Sequence, residues 1–292
     1  MTQTTIGMPQ TDASGLSENW LFRYCGDQHW QRLCAAWRVT ADQLRDDEGH
    51  QIYPVFVAVR SRYSAPLNAV RLNQRFRTAV RLAHFGRTLC HSRLTYMNCA
   101  VRIRVEMLTT FAYKEIESRN GMRRTSPSSG LHLHGSSSAN SPDVLKIGEA
   151  IRRGDLDGYQ IDGETVSEGS RVSLSSEPFE PSPYMDFNGA GLLYFASYPT
   201  IADTLERQIM CRQNPFGLSS DWALATSTVA RDVFYHRNLA IGQCVLATIG
   251  HLTRHGDRIL LHTRLTCAES TDMLADVFTV KRVGAHRGEF HG

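Results

Sequence analysis

Lysine is nearly absent from this chain, standing only at Lys114, Lys146 and Lys281, so positive charge is carried almost wholly by arginine. Arginine suits planar phosphate and carboxylate groups better than lysine does. Net charge is scarce as well, +3 over 292 residues with 12 histidines counted neutral, so no nucleic-acid footprint follows from it. No apolar run reaches the roughly 18 residues of a membrane span. The first ten residues, MTQTTIGMPQ, have neither a basic start nor an apolar centre. Neither a membrane-spanning helix nor a secretory signal is therefore expected. The seven cysteines are odd in number and contain no C-x-x-C pair, which argues against a disulfide framework and a zinc knuckle. Cys25, Cys34, Cys90, Cys99, Cys211, Cys244 and Cys267 read as small core residues in a reducing compartment, and a cytoplasmic protein is the expectation.

What is present is a plan that occurs twice. Ser17 is a candidate N-cap for a helix to Trp37, with Trp20, Leu21, Tyr24, Cys25, Leu33 and Cys34 as its apolar stripe. The polar GDQH at Gly26 to His29 interrupts that stripe, and hydrogen bonding to a surrounding sheet is the expected reason, with a catalytic one as the alternative. Strand patterns follow at Tyr53 to Val59, Phe76 to Leu82 and Val101 to Met107, the last with the cleanest period of two. The stretch from Arg123 to Asp143 is rich in Ser, Gly and Pro and reads as a linker or mobile loop. Its His132 and His134 invite a metal reading, but no carboxylate or thiolate stands near, and no metal site is expected. Four strand patterns, Trp222 to Arg237, Ile241 to Thr253, Asp257 to Cys267 and Met273 to Val283, close the chain. The expected division is 1–122, a linker at 123–148, and 149–292.

The second half is organised by DFNGAGLLYFASYPTIADTLERQ, Asp186 to Gln208. Asn188 is a good N-cap type, and Gly189, Ala190 and Gly191 after it predict bare N–H groups at a helix start, a site for an anion or carbonyl. Leu192, Phe195, Ala196, Pro199, Ala202 and Leu205 then recur at helical spacing, with a kink expected at Pro199. An acid, a Gly-containing turn and a long apolar helix with strands downstream is the local plan of a hot-dog domain. An ordinary buried helix with a glycine start is the plainer alternative.

Three stretches, DFNGAGLLYFASY, GLSENWLFRYCGDQHW at Gly15 to Trp30, and YPVFVAVRSRYSAPL at Tyr53 to Leu67, together resemble double hot-dog proteins of polyketide and nonribosomal biosynthesis, of the leinamycin-pathway acyltransferase/decarboxylase type. The resemblance implies an α+β tandem hot-dog fold, each half a curled antiparallel sheet around a long helix. It also implies an enzyme that takes a malonyl- or methylmalonyl-type group from its CoA thioester, decarboxylates it and loads an acyl carrier protein. No cofactor is implied beyond that thioester, nor a nucleic acid or membrane partner, and there is room for a homodimer. The family's acylated tyrosine corresponds by position to Tyr53, with Tyr63 a second candidate at the same sequence parity.

A phenol with a pKa of about 10 needs a neighbouring donor or cation to serve as nucleophile, and Arg60 and Arg62, at the other parity, are not obvious activators. The N–H groups at Gly189, Ala190 and Gly191 suit a thioester oxygen becoming an enolate, and Asn188 and Gly189 join Tyr53 as the catalytic candidates. Asp186, just before them, is expected to face the backbone. A rival scheme makes Asp186 the base or nucleophile of a hot-dog thioesterase, although the His and Asn that usually follow the glycine of that pattern are absent. A non-catalytic carrier-protein-binding pair is the third reading.

Overall fold

Residues 2–13, 15–115, 121–132, 134, 136–137, 143–218 and 221–284 are described in the structure, a computed structural model. Strand β1 (Thr2–Thr5) precedes helix α1 (Glu18–Trp37), which is followed by β2 (Ile52–Tyr63), β3 (Arg75–Phe85), β4 (Leu89–Met97), β5 (Arg102–Lys114) and β6 (Met122–Thr125). Helix α2 (Asp143–Arg152), β7 (Arg171–Ser175), helix α3 (Ser197–Gln213) and strands β8 (Thr226–Tyr235), β9 (Val245–His255), β10 (Arg258–Cys267) and β11 (Met273–Val283) complete the chain.

Each half curls an antiparallel sheet around one helix, the tandem hot-dog arrangement. Ser17 caps α1 by accepting a hydrogen bond from the Trp20 N–H. Leu21, Phe22 and Cys25 of α1 pack on Val59, Leu94, Val105 and Met107, and further along Leu33 and Trp37 pack on Ile52, Cys90 and Phe111. In the second half Tyr198, Ile201, Ala202 and Leu205 of α3 pack on Val233, Leu265, Ala275 and Val277. The expected reason for the polar interruption in α1 holds for His29, whose Nδ1 meets the Ser92 hydroxyl and whose Nε2 meets the Thr109 hydroxyl at 2.8 Å.

The halves share one twelve-stranded sheet with the order β1-β3-β4-β5-β2-β8-β11-β10-β9-β7; β6 adds to β5, and Ser136–Ser137 add to β3. The seam is short. Only Ala58 to Arg62 of β2 pair with Phe234 to Ala230 of β8, so the first half of β2 has no partner on that side. A β-bulge between Phe56 and Ala58 adds one residue there. Phe56 faces the helices and Val57 and Ala58 both face outward, so the bulge reverses the strand's parity.

Several expectations about local structure change. Helix α3 begins at Ser197, well after the glycines of Gly189 to Gly191, and Pro199 sits in its first turn, where a missing N–H breaks no helical bond. Trp222 to Ala225 form one helical turn before β8, and β4, which was not among the expected strands, alternates strictly, burying Cys90, Ser92, Leu94 and Tyr96. The segment expected as a linker is structured at both ends: β6 pairs with β5, and α2 buries Val144 and Ile151 against Ala58, Leu108 and Phe234 on the outer face of the seam. Not every cysteine is in the core. Cys25, Cys90 and Cys267 are buried, but Cys99 and Cys211 are exposed. No helix among the described residues is long and apolar enough to cross a membrane.

Candidate functional site

Where β2 and β8 part, a cavity of about 760 Å³ opens beside the seam. Its walls come from both faces of the sheet. On the outer face lie Tyr53, Val55 and Val57 of β2, Thr110 and Ala112 of β5, Met122 and Arg124 of β6, and Arg152 at the end of α2. On the helix side lie Gly26, Asp27 and Trp30 of α1 and the approach to α3, Leu192 to Phe195. The end of β8 and the residues after it, Tyr235 to Asn238, form the far rim. The site is a slot through the sheet, lined by both apolar and polar side chains.

The sequence of the approach makes it a self-bonded loop and not a helix start. The Asn188 side-chain oxygen accepts from the N–H groups of Ala190 and Leu192, and its carbonyl accepts from the Gly191 N–H at 2.9 Å. Gly191 takes φ +69, which this tight turn requires, and Lys114 donates to the Ala190 carbonyl at 2.6 Å. The Asp186 carboxylate accepts from the Ser182 N–H at 2.9 Å and so faces backbone, as expected. Of this group only Asn188 lines the slot; Asp186, Gly189, Ala190 and Gly191 do not. The N–H groups at the true helix start, those of Phe195, Ala196 and Tyr198, have no acceptor among the described residues.

The two candidate tyrosines separate. Tyr53 and Tyr63 share sequence parity, yet the bulge between them puts Tyr53 on the outer face and Tyr63 on the helix side. Tyr53 lines the slot, half-buried, and its hydroxyl has no partner among the described residues. Its cross-strand neighbour is Ala112, whose neighbour is Arg124, so Tyr53 and Arg124 lie on the same face two strands apart. Neither Arg124 nor Arg152 has an ion-pair partner among the described residues. Tyr63 is buried and donates to Glu18, and burial followed by the Glu18 charge holds its pKa well above the usual phenol value. Arg60 and Arg62 do lie on the Tyr53 face, but both are ion-paired to Asp232, Arg62 at 2.6 Å.

Other groups at the slot were given no site role from the sequence. Gly26 admits the Phe195 ring: a Cβ there would lie 2.6 Å from Phe195 Cε1 and 3.3 Å from the Tyr194 hydroxyl. Phe195 in turn stacks on Phe56 with centroids 3.7 Å apart. Asp27, the next residue, projects an exposed carboxylate that accepts from Gln31 at 2.8 Å. Tyr194 has no hydroxyl partner among the described residues; burial raises its pKa, the Arg23 guanidinium 4.9 Å from its ring works against that, and Asp27 adds to it. The polar break in the α1 stripe was the available signal for Asp27.

The far rim carries a second set. Tyr235 donates to the Phe195 carbonyl at 3.0 Å, Tyr198 to the Arg237 carbonyl at 3.0 Å, and Leu193 to the Asn238 side chain at 2.9 Å, so the end of β8 is laced to the start of α3. Between those ties stands His236. Its Nε2 lies 2.8 Å from the Asp276 carboxylate, which is fully buried and also meets His262 Nε2 at 2.7 Å and Arg264 Nε at 3.1 Å. Burial pushes the Asp276 carboxyl up, but the hydrogen bonds from His236 and His262 outweigh it and hold it far below the carboxylate range. His236 Nδ1 is buried and has no partner among the described residues. Among the described residues no cluster of His, Cys, Asp and Glu is arranged to hold a metal.

No protein-family model and no curated protein matches the chain. Solved structures do. A Lactobacillus plantarum protein described as an oleoyl thioesterase is 12% identical with TM-score 0.65, covering 97% of this chain and 94% of its own. The 12:0-ACP thioesterase of Umbellularia californica is 9% identical with TM-score 0.59 over 97% and 96%. An acyl-ACP thioesterase of Bacteroides thetaiotaomicron is 9% identical with TM-score 0.58 over 96% of each chain. At these identities the likeness shows the fold: this chain has a tandem hot-dog fold.

Proposed function

We propose that the protein hydrolyses acyl thioesters carried on coenzyme A or an acyl carrier protein, with the acyl chain in the seam slot. The observation that carries this reading is the slot itself, which sets an apolar channel, an acidic side chain on α1 and an open helix start within one cavity. The thioesterase names of the three similar structures support it. Val55, Val57, Leu192 and Phe195 would line the chain. The first-turn N–H groups of α3 would hold the thioester oxygen, where a helix N-terminus favours developing negative charge. Asp27 would orient the attacking water, and Arg124 and Arg152 would meet the phosphate of the carrier arm. No cofactor is needed. Seven free thiols support a reducing, cytoplasmic setting.

One observation favours a second reading, the acyltransferase/decarboxylase of the biosynthetic family. Tyr53 lines the slot with no hydroxyl partner among the described residues, and Arg124, a cation that could stabilise a phenolate, lines it too. In that scheme malonyl- or methylmalonyl-CoA acylates Tyr53 and a carrier protein receives the shortened group.

The test is release of free acid from acyl-CoA substrates of graded chain length. Hydrolysis should rise with chain length until the slot is filled. Asp27→Asn should lower the rate on the order of 100-fold, the cost of a misplaced reactant. An unchanged rate in that variant, or no hydrolysis by wild type, would remove this reading.

A further inference from the structure

We infer that the outer face of the first half's sheet is the docking surface for an acidic carrier protein, which presents the acyl group to the slot. The inference rests on the thioesterase reading and decides between the two carriers that reading allows. Net charge is only +3, but it is spread unevenly. Along β3, β4 and β5 the residues that alternate with the buried Phe76, Leu94, Tyr96, Ile103 and Val105 turn outward, and arginine is the commonest of them. Arg75, Arg77 and Arg81 of β3 and Arg102 and Arg104 of β5 are exposed there, and none of the five has an ion-pair partner among the described residues. Arg93 of β4, between them, is held by Glu106 at 2.8 Å.

The arrangement works against the fold on its own. Arg104 lies directly across from Arg62, and Arg81 directly across from Arg93. Like charges placed opposite each other on one face of a sheet are destabilising, and an anionic partner relieves that repulsion. The register holds the five free arginines within a patch about 10 Å across the strands and about 20 Å along them. A patch of that size suits a brief encounter, as a partner that delivers one acyl group and leaves requires. Other polyanions are less well served. Ala79, Thr95 and Met97 fill the gaps, so these positions offer no aromatic ring on which a base could stack and little apolar surface to enter a bilayer. A rigid sheet of unpaired guanidinium forks matches carboxylates displayed on another folded protein.

The face leads to the slot. Thr110 and Ala112, on the same outer side of β5, line it, and Arg104 stands about 20 Å before Thr110 at the rise of a strand. Helix α2 covers Ala58 and Leu108 between the two, and Arg152 at its end lines the slot. A carrier protein holds its acyl thioester on a flexible arm, so docking at the arginines raises the local concentration of thioester at the slot mouth without a rigid path between them. No bond is made or broken at this face. Coenzyme A, which has no protein surface to dock, gains nothing from it.

The experiment compares hydrolysis of a palmitoyl-loaded acidic acyl carrier protein with that of palmitoyl-CoA, and measures binding of the labelled carrier protein by fluorescence anisotropy. It uses wild type, Arg77→Glu/Arg104→Glu, and a control of equal charge change, Arg32→Glu/Arg212→Glu, on α1 and α3. Circular dichroism checks that each is folded. The face variant should lose about tenfold or more in kcat/KM for the carrier-borne substrate, through KM, and bind the carrier protein more weakly in step. Its hydrolysis of palmitoyl-CoA should stay within about twofold of wild type, and the control should keep both activities. Arg77→Gln/Arg104→Gln, which only removes charge, should show a smaller loss in the same direction. Raising salt from about 50 to about 500 mM should slow the carrier reaction of wild type and change that of the face variant little. Equal losses on both substrates, the same loss in the control, or no carrier binding by wild type would overturn the inference. So would duplex DNA or phosphatidylglycerol vesicles that bind wild type more tightly than the carrier protein does and are released by the same substitutions. Failure of the thioesterase reading looks different: the carrier protein binds at the arginines, and no free acid appears from either substrate.

Discussion

His29 shows how a titratable residue can be buried for structure alone. Both nitrogens of His29 are met by hydroxyls, and burial, with a lesser push from His91, lowers its pKa from 6.5 to about 3. The unfolded chain takes up a proton that the folded protein refuses, so this contribution is full above about pH 6.5 and is lost as pH falls toward the folded value. At about 1.4 kcal/mol per pKa unit the loss between about pH 6.5 and pH 4 is on the order of 3 kcal/mol. Urea unfolding of wild type and His29→Gln across that range should show the wild type losing more stability by roughly that amount; parallel profiles would contradict it. His236 differs in having one nitrogen without a partner among the described residues. Nothing in the one-dimensional pattern separates these two histidines, because each is defined by strands distant in sequence: β4 and β5 for His29, β11 for His236.

At the scale of elements, α1, the alternating strands and the second-half meander were legible because each carries its own period and its own cap. The start of α3 was not. Asn188 with three small residues has the composition of an N-cap, but here it closes an Asx-type turn on Ala190 and Leu192, and the helix begins at Ser197. The bulge in β2 was equally hidden, since an extra residue leaves no mark in Val55 to Val59, and it decides which tyrosine reaches the slot. This rearrangement makes the glycines unequal. A Cβ on Gly189 meets nothing within 4 Å, whereas Gly191 has φ +69 and its Cβ would lie 3.3 Å from Lys114 Nζ. Gly191→Ala should therefore lower stability by about 1–2 kcal/mol. Gly189→Ala should stay within about 0.5 kcal/mol of wild type and keep its activity. Chemical denaturation and one rate measurement check both; equal costs, or an inactive Gly189→Ala, would return the carbonyl site to the Gly189 turn.

At the scale of the whole molecule, the two halves are one sheet held shut at one end of the seam and open at the other. The closed end is ionic. Arg231 of β8, with no exposed surface, pairs with Glu18 of α1 at 2.9 Å and with Asp203 of α3 at 2.7 Å, and Lys281 of β11 joins Asp203 at 2.6 Å. Removing one member of such a set leaves a buried charge unpaired, which is why it fixes the two helices against each other. On the outer face the Arg62–Asp232 pair clamps the same stretch of β2 and β8. The slot is what remains where neither clamp reaches. Tandem architecture could be read from the repeated helix-and-strands plan; the slot could not, because it is a property of where two strands stop pairing.

The most direct test of thioester hydrolysis in that slot is to quantify free acid, carbon dioxide and protein-bound acyl group together, in one reaction, from a long-chain acyl-CoA and from methylmalonyl-CoA. The account predicts free acid and free thiol from the long-chain substrate, with no stable acyl-protein and little carbon dioxide from methylmalonyl-CoA. Carbon dioxide released from methylmalonyl-CoA, with an acyl group found on Tyr53 by intact-protein mass spectrometry and no free acid from the long-chain thioester, would contradict it.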